Sequence, residues 1–132
     1  ISQFQDYIVM RYSDVLLMAA ELGSANAQTY FDAVRQRAYK ENFVASTVSQ
    51  EKIMTERHLE FALEGVRYWD LLRQGVVTAA STIAETTTLL TGGIDDVKVI
   101  SSGKIETTQG LQQIPKTQIT LSNNVLQQNA GW

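Results

Sequence analysis

The 132 residues carry 11 Lys and Arg against 14 Asp and Glu, a net charge of −3, and 44% are hydrophobic, enough for one domain-sized core. The basic residues are mixed with acids rather than gathered into a stripe, which excludes the electrostatic footprint of a nucleic-acid binder. With no cysteine, disulfides, thiolate metal sites, thiol catalysis and a lipid-bearing cysteine are excluded from this stretch, and no run approaches the ~20 apolar residues that span a bilayer. The chain begins at Ile1 with neither a charged leader nor an apolar signal segment, and reads as a fragment of a longer protein.

In chain order, the alternation of Phe4, Ile8, Met10 and Tyr12 predicts an extended lead-in over residues 4–12. Ser13 is the expected N-cap of a first helix, with Asp14 in its first turn. That helix runs to about Leu22, with Val15, Leu16, Met18, Ala19 and Leu22 as its apolar stripe and Gly23 as its stop. A second helix from about Ala25 to Tyr39 is expected to bury Ala27, Phe31, Val34 and Ala38, completing a helical hairpin. After a loop, Ser49 caps a third helix, with Val48 and Ile53 placed as a hydrophobic staple. The spacing carries this helix to Glu64 with a break at Gly65, because mid-helix glycine costs about 1 kcal/mol against alanine. A fourth helix holds Tyr68, Trp69, Leu71 and Leu72 and ends near Arg73, with Gly75 as a left-handed cap. Residues 76–91, rich in Thr, Ala and Ser, read as a weak helix or an irregular surface segment, and Gly92-Gly93 as a turn. Val97–Ile100 and Lys104–Thr107 are expected to pair as a small hairpin around Ser101-Ser102-Gly103. The tail from Leu111 to Trp132 reads as irregular chain pegged by Ile114, Pro115, Ile119, Leu121, Val125 and Leu126.

Within this layout the densest charge pattern is Glu56-Arg57-x-x-Glu60-Phe61-x-x-Glu64-Gly65-x-Arg67-x-x-Asp70-Leu71-x-Arg73. Glu56, Glu60 and Glu64 recur every four residues, which stacks three carboxylates on one helix face. Arg57, Arg67 and Arg73 lie three residues from Glu60, Glu64 and Asp70 and supply local counter-charges, and Arg11, Arg35 and Arg37 of the first hairpin are candidates for further pairs. The expected role of these residues is a structural ion-pair network that fixes helix register. An acid/base pair for glycoside cleavage needs one carboxyl with a raised pKa and a gap for substrate, whereas carboxylates packed with arginines have theirs lowered. No catalytic residue is assigned.

The sole histidine, His58, lacks the second histidine of a zinc-protease helix, and Asp95-Asp96 lacks the spaced ligands of a calcium loop. No phosphate loop and no Gly-x-Ser-x-Gly is present, so neither metal nor cofactor is expected. Tyr68 and Trp69 have faces suited to stacking on a sugar, but adjacent helical residues diverge by about 100°, which turns at least one toward the core. Trp132 and the amides of Gln127, Gln128 and Asn129 are alternative ligand contacts, or pins for the end of the chain.

Four blocks in order carry a family resemblance: Arg11-Tyr12-Ser13-Asp14-Val15-Leu16-Leu17-Met18-Ala19-Ala20-Glu21; Val34-Arg35-x-Arg37-Ala38; the Glu56–Arg73 run, with Phe61 where leucine is usual; and Ile114-Pro115 with Gln128-Asn129-x-Gly131-Trp132. Together they resemble the C-terminal part of the SusD/RagB family, nutrient-capturing outer-membrane lipoproteins of Bacteroidetes. Gln113 and Ala130 replace prolines of the family ending, and Trp132 its tyrosine. The resemblance implies a mainly α fold of tetratricopeptide-like helical pairs with a small hairpin and an irregular C-terminal tail. Residues 1–132 would then be the C-terminal portion of one SusD/RagB-like domain, whose N-terminal part is absent from this chain. It further implies a surface-exposed lipoprotein, anchored by a lipid outside this chain, that binds oligosaccharides or other nutrients without cleaving them. Its implied partner is a SusC-like TonB-dependent barrel. Family ligand sites lie largely outside these blocks, so no ligand-binding residue is assigned. The rival readings are a helical-repeat scaffold for protein partners and, last, a glycoside hydrolase.

Overall fold

The computed structural model describes residues 9–132, so Phe4 and Ile8 of the expected lead-in lie outside the described residues. The described chain is mainly helical with one two-stranded antiparallel hairpin, and it divides into two compact units, the first ending at Arg67 and the second spanning Tyr68–Trp132.

In the first unit, α1 (Tyr12–Glu21) and α2 (Ala27–Tyr39) pack as a helical pair, a 3-10 turn follows at Lys40–Asn42, and α3 (Gln50–Glu60) packs on α1. The N-cap of α1 is Arg11, in extended backbone, so Ser13 lies inside the helix rather than at its cap. Gly23 at φ +76° stops α1 as expected: its N–H reaches Ala20 O and the Ser24 N–H reaches Ala19 O, closing a Schellman motif. The core is Leu17, Ala20, Phe31, Val34, Ile53 and Phe61. The stripe expected on α1 is therefore misplaced, since Val15 and Leu22 are exposed and Leu17 and Ala20 are the buried pair. Residues 15–20 are apolar at every position, so periodicity has no contrast with which to choose a face. On α2, Ala38 is exposed.

Ser49 caps α3 through its hydroxyl, which accepts the Lys52 N–H at 3.3 Å. Val48 packs on the core beside buried Ile53, as the staple requires. α3 ends at Glu60, four residues before the expected end at Glu64. The turn over residues 61–65 holds two positive-φ positions, Leu63 at +68° and Gly65 at +77°, and the early stop lets Phe61 turn into the core.

The second unit holds most of α4 (Arg67–Arg73), then α5 (Val76–Ile83), β1 (Glu85–Thr91), β2 (Ile94–Ile100), α6 (Ser102–Thr108) and α7 (Lys116–Leu121). Gly75, at φ +120°, is the N-cap of α5 and not a left-handed cap. Ala79 and Ala80 are fully buried where α5 packs on α6, small side chains letting the helices approach closely. The expected hairpin is replaced by another: β2 pairs with β1, Glu85 opposite Ile100 and Thr91 opposite Ile94. Gly92 and Gly93, at φ +59° and +82°, supply the two-residue turn whose twist suits an antiparallel pair. Residues 102–108 are helical instead, with Thr108 buried and Ile105 on the same face. The tail contains α7, and its intended pegs Leu121 and Val125 are exposed, while Ile114 and Ile119 are half-buried.

Candidate functional site

The charged run of the first unit is built around α3. Glu60, 5% exposed, accepts from Arg11 Nη1 at 2.7 Å and from Arg37 Nη2 through both oxygens at 2.5 and 2.6 Å. Arg11 also forks onto Glu64 at 2.7 and 3.1 Å and donates to the Glu60 carbonyl at 2.7 Å. Arg57 pairs with Asp14 at 2.5 Å, and Arg35 lies 3.6 Å from Glu56. The cations on Glu60 thus come from the first helical pair rather than from Arg57 on its own helix. Glu64 sits beyond the end of α3, so the spacing of Glu64 to Arg67 is not a helical one. In the second unit Arg73 donates to Asp70 at 3.1 Å.

Aromatic rings are threaded through these charges. Two guanidiniums approach the Phe61 ring, Arg11 at 4.8 Å and Arg57 at 5.0 Å from its centroid, favourable contacts with the ring quadrupole. Arg35 is ringed by Phe31, Phe43 and Tyr39 at 5.2–5.5 Å and donates to Val44 O at 3.0 Å.

The two core carboxylates are driven in opposite directions. Burial pushes Glu60 up, but the hydrogen bond from Arg11 and the charges of Arg37 and Arg11 outweigh it and hold its pKa below the ordinary value. For Glu56 burial prevails over Arg35 and Arg37, with Glu60 adding repulsion, and its pKa is raised. The expectation that every carboxylate in this run is depressed therefore fails at Glu56, where the counter-charge is more distant. Glu56 borders a depression of about 230 Å³ that Glu60 does not line.

In the second unit, a cleft of about 390 Å³ is lined by Tyr68, Ile83, Val99, Lys104, Leu111 and Trp132 among others. The Tyr68 hydroxyl donates to Gly110 O and receives the Gln112 amide at 3.3 Å. Trp132 Nε1 donates to Leu111 O at 2.9 Å, and the Lys104 ammonium lies 4.1 Å from the Trp132 ring centroid. Of the aromatics weighed as ligand contacts, Tyr68 and Trp132 meet in this cleft. Trp69 is exposed and edge-on to Tyr68, centroids 5.3 Å apart at 75°. The tail amides hold chain rather than face a ligand: Gln128 takes both the N–H and C=O of Ile114 at 2.8 Å, and Asn129 donates to Gln112 O at 2.5 Å. Gln127 donates to Asn124 O at 2.9 Å. Sequence reading missed Lys104, Leu111 and Gln112 as neighbours of Tyr68 because residues 104–107 were assigned to a strand. The three-residue spacing of Ile105, Thr108 and Leu111 was the available helical signal. His58 is exposed, and among the described residues no cluster of three His, Asp or Glu side chains is arranged to hold a metal.

These features define a mainly helical protein with, in its second unit, an open cleft to which Tyr68 and Trp132 bring aromatic rings. A family model described as the SusD family matches residues 2–132, and the chain belongs to that family. No curated protein and no solved structure matches it. Membership implies glycan or nutrient binding at the cell surface, in a family whose members are generally non-catalytic. No described helix is long and apolar enough to cross a membrane.

Proposed function

We propose that residues 1–132 are the C-terminal portion of a surface-exposed outer-membrane lipoprotein that captures glycans or other nutrients and delivers them to a SusC-like TonB-dependent barrel, with the lipid anchor outside this sequence. The observation that carries this reading is the family match over residues 2–132. Glu56, Arg57, Glu60, Glu64, Arg67, Asp70 and Arg73 act in it as scaffold. Both oxygens of Glu60 are engaged by guanidiniums, and Glu56, although raised, borders a depression that Glu60 does not share. Glu60 and Glu56 are therefore not set as acid and base across one gap that holds a sugar.

The test is purification of the intact protein from detergent-extracted outer membranes. A stoichiometric TonB-dependent barrel is the expected companion. An unaccompanied protein moves the function toward a stand-alone glycan binder or a helical scaffold. Incubation with oligosaccharides is expected to release no reducing ends, and release abolished by Glu60→Gln would overturn the non-catalytic reading.

A further inference from the structure

We propose that the cleft of the second unit is a subsite for an acidic pyranose, the uronic acid unit of a glycan, an assignment that rests on the nutrient-binding reading above. Its volume of about 390 Å³ lies within the range of small-molecule sites. Ile105 and Leu111 give it aliphatic wall, and Tyr68 and Trp132 bring aromatic rings to it. A pyranose needs that mixture, since its C–H face is apolar and its rim carries hydroxyls.

Two features prepare the site before any ligand arrives. Trp132 is 45% exposed, yet its ring is fixed by the bond to Leu111 O, so little rotamer entropy remains to be lost on stacking. Gln112 directs its amide N–H to the Tyr68 hydroxyl, which leaves its Oε1 as an acceptor for a sugar hydroxyl.

Charge sets the class of sugar. Lys104 is the one ionic side chain among the described lining residues, and no Asp or Glu side chain shares the wall with it. The ammonium donates to Gly131 O and rests on the Trp132 ring. With three N–H donors, it has capacity for a ligand anion at the edge of a ring stacked nearby. A uronate offers an apolar ring face and a carboxylate in one unit, matching this cleft better than a neutral hexose does.

Calorimetric titration of the intact protein with tetragalacturonate and with its fully methyl-esterified counterpart isolates the charge, because the two ligands otherwise share the same sugars. The free acid is expected to bind about five-fold more tightly at low salt, the factor a partly exposed ion pair supplies. Lys104→Met should erase that difference, and Lys104→Arg should preserve it. Equal affinities, a preference for the acid that survives Lys104→Met, or no binding of either ligand would each overturn the assignment. Any of those results alongside a co-purifying barrel removes this subsite and leaves nutrient capture standing. Lys104-dependent uronate binding by a protein with no barrel does the reverse.

Discussion

Replacing Glu60 with glutamine removes one negative charge from a side chain that is 5% exposed and accepts from two arginines. The amide keeps the shape but turns an N–H₂ toward guanidinium donors, so the cations lose a partner and gain a clash of like dipoles. Breaking a buried ion pair by removing one partner costs about 3–5 kcal/mol, but an exposed pair is worth only about 0–1 kcal/mol. Arg37 is 62% exposed and Arg11 28%, and both can turn to water when released. The expected loss therefore falls between these limits, at about 2 kcal/mol. Because the chain forms two units, amide hydrogen exchange read on α1 and α3 peptides is the suitable assay, reporting local opening directly. Arg37→Met should cost less than about 1 kcal/mol in the same measurement. Arg11→Met should approach the Glu60→Gln value, since Arg11 also serves Glu64 and the Glu60 carbonyl. Protection of α3 unchanged within about 0.5 kcal/mol in Glu60→Gln would refute the view that this carboxylate ties α3 to the first helical pair.

Acid should act on the two core glutamates with opposite sign. Glu60 has a folded pKa below the reference value of 4.5, so its stabilisation is present above that value and is lost as pH falls through the folded pKa. Glu56 has a raised folded pKa, so the penalty of its buried charge is relieved on acidification. Stability measured below about pH 5 should decline less steeply in Glu60→Gln and more steeply in Glu56→Gln than in the parent, and parallel profiles would contradict the assignment. Phe61→Leu should lower exchange protection of α3 by about 1–2 kcal/mol through loss of two guanidinium contacts and some packing, without unfolding the unit; no change would mean those contacts contribute nothing. Gly110→Ala places a Cβ in collision with Leu72 Cδ2 at a φ of +72° and should cost about 1–3 kcal/mol by thermal denaturation. Adding Leu72→Ala should relieve the clash but not the backbone strain, and a double variant no better than additive would show that the clash is not the cause.

Signals confined to a turn or two of chain were readable before the fold was seen. The Ser49 cap, the Val48 and Ile53 staple, the Gly23 stop and the Gly92-Gly93 turn each act through neighbouring backbone, whose geometry the residue type itself limits. The ordered blocks from Arg11 to Trp132 likewise identified the family, because motif order and spacing are properties of the sequence. Tertiary structure decided what those signals leave open. Arg11 reaches Glu60 across 49 residues and Arg57 reaches Asp14 across 43, pairings that no helical spacing encodes. Burial of Leu17 rather than Val15 on α1, and the choice of residues 85–91 as the partner of β2, were settled by which surfaces met. The cleft that joins Tyr68, Lys104 and Trp132 has the same origin. Sequence separates these side chains by tens of residues, and only the packing of α5 on α6 and the clasp of the tail bring them to one wall.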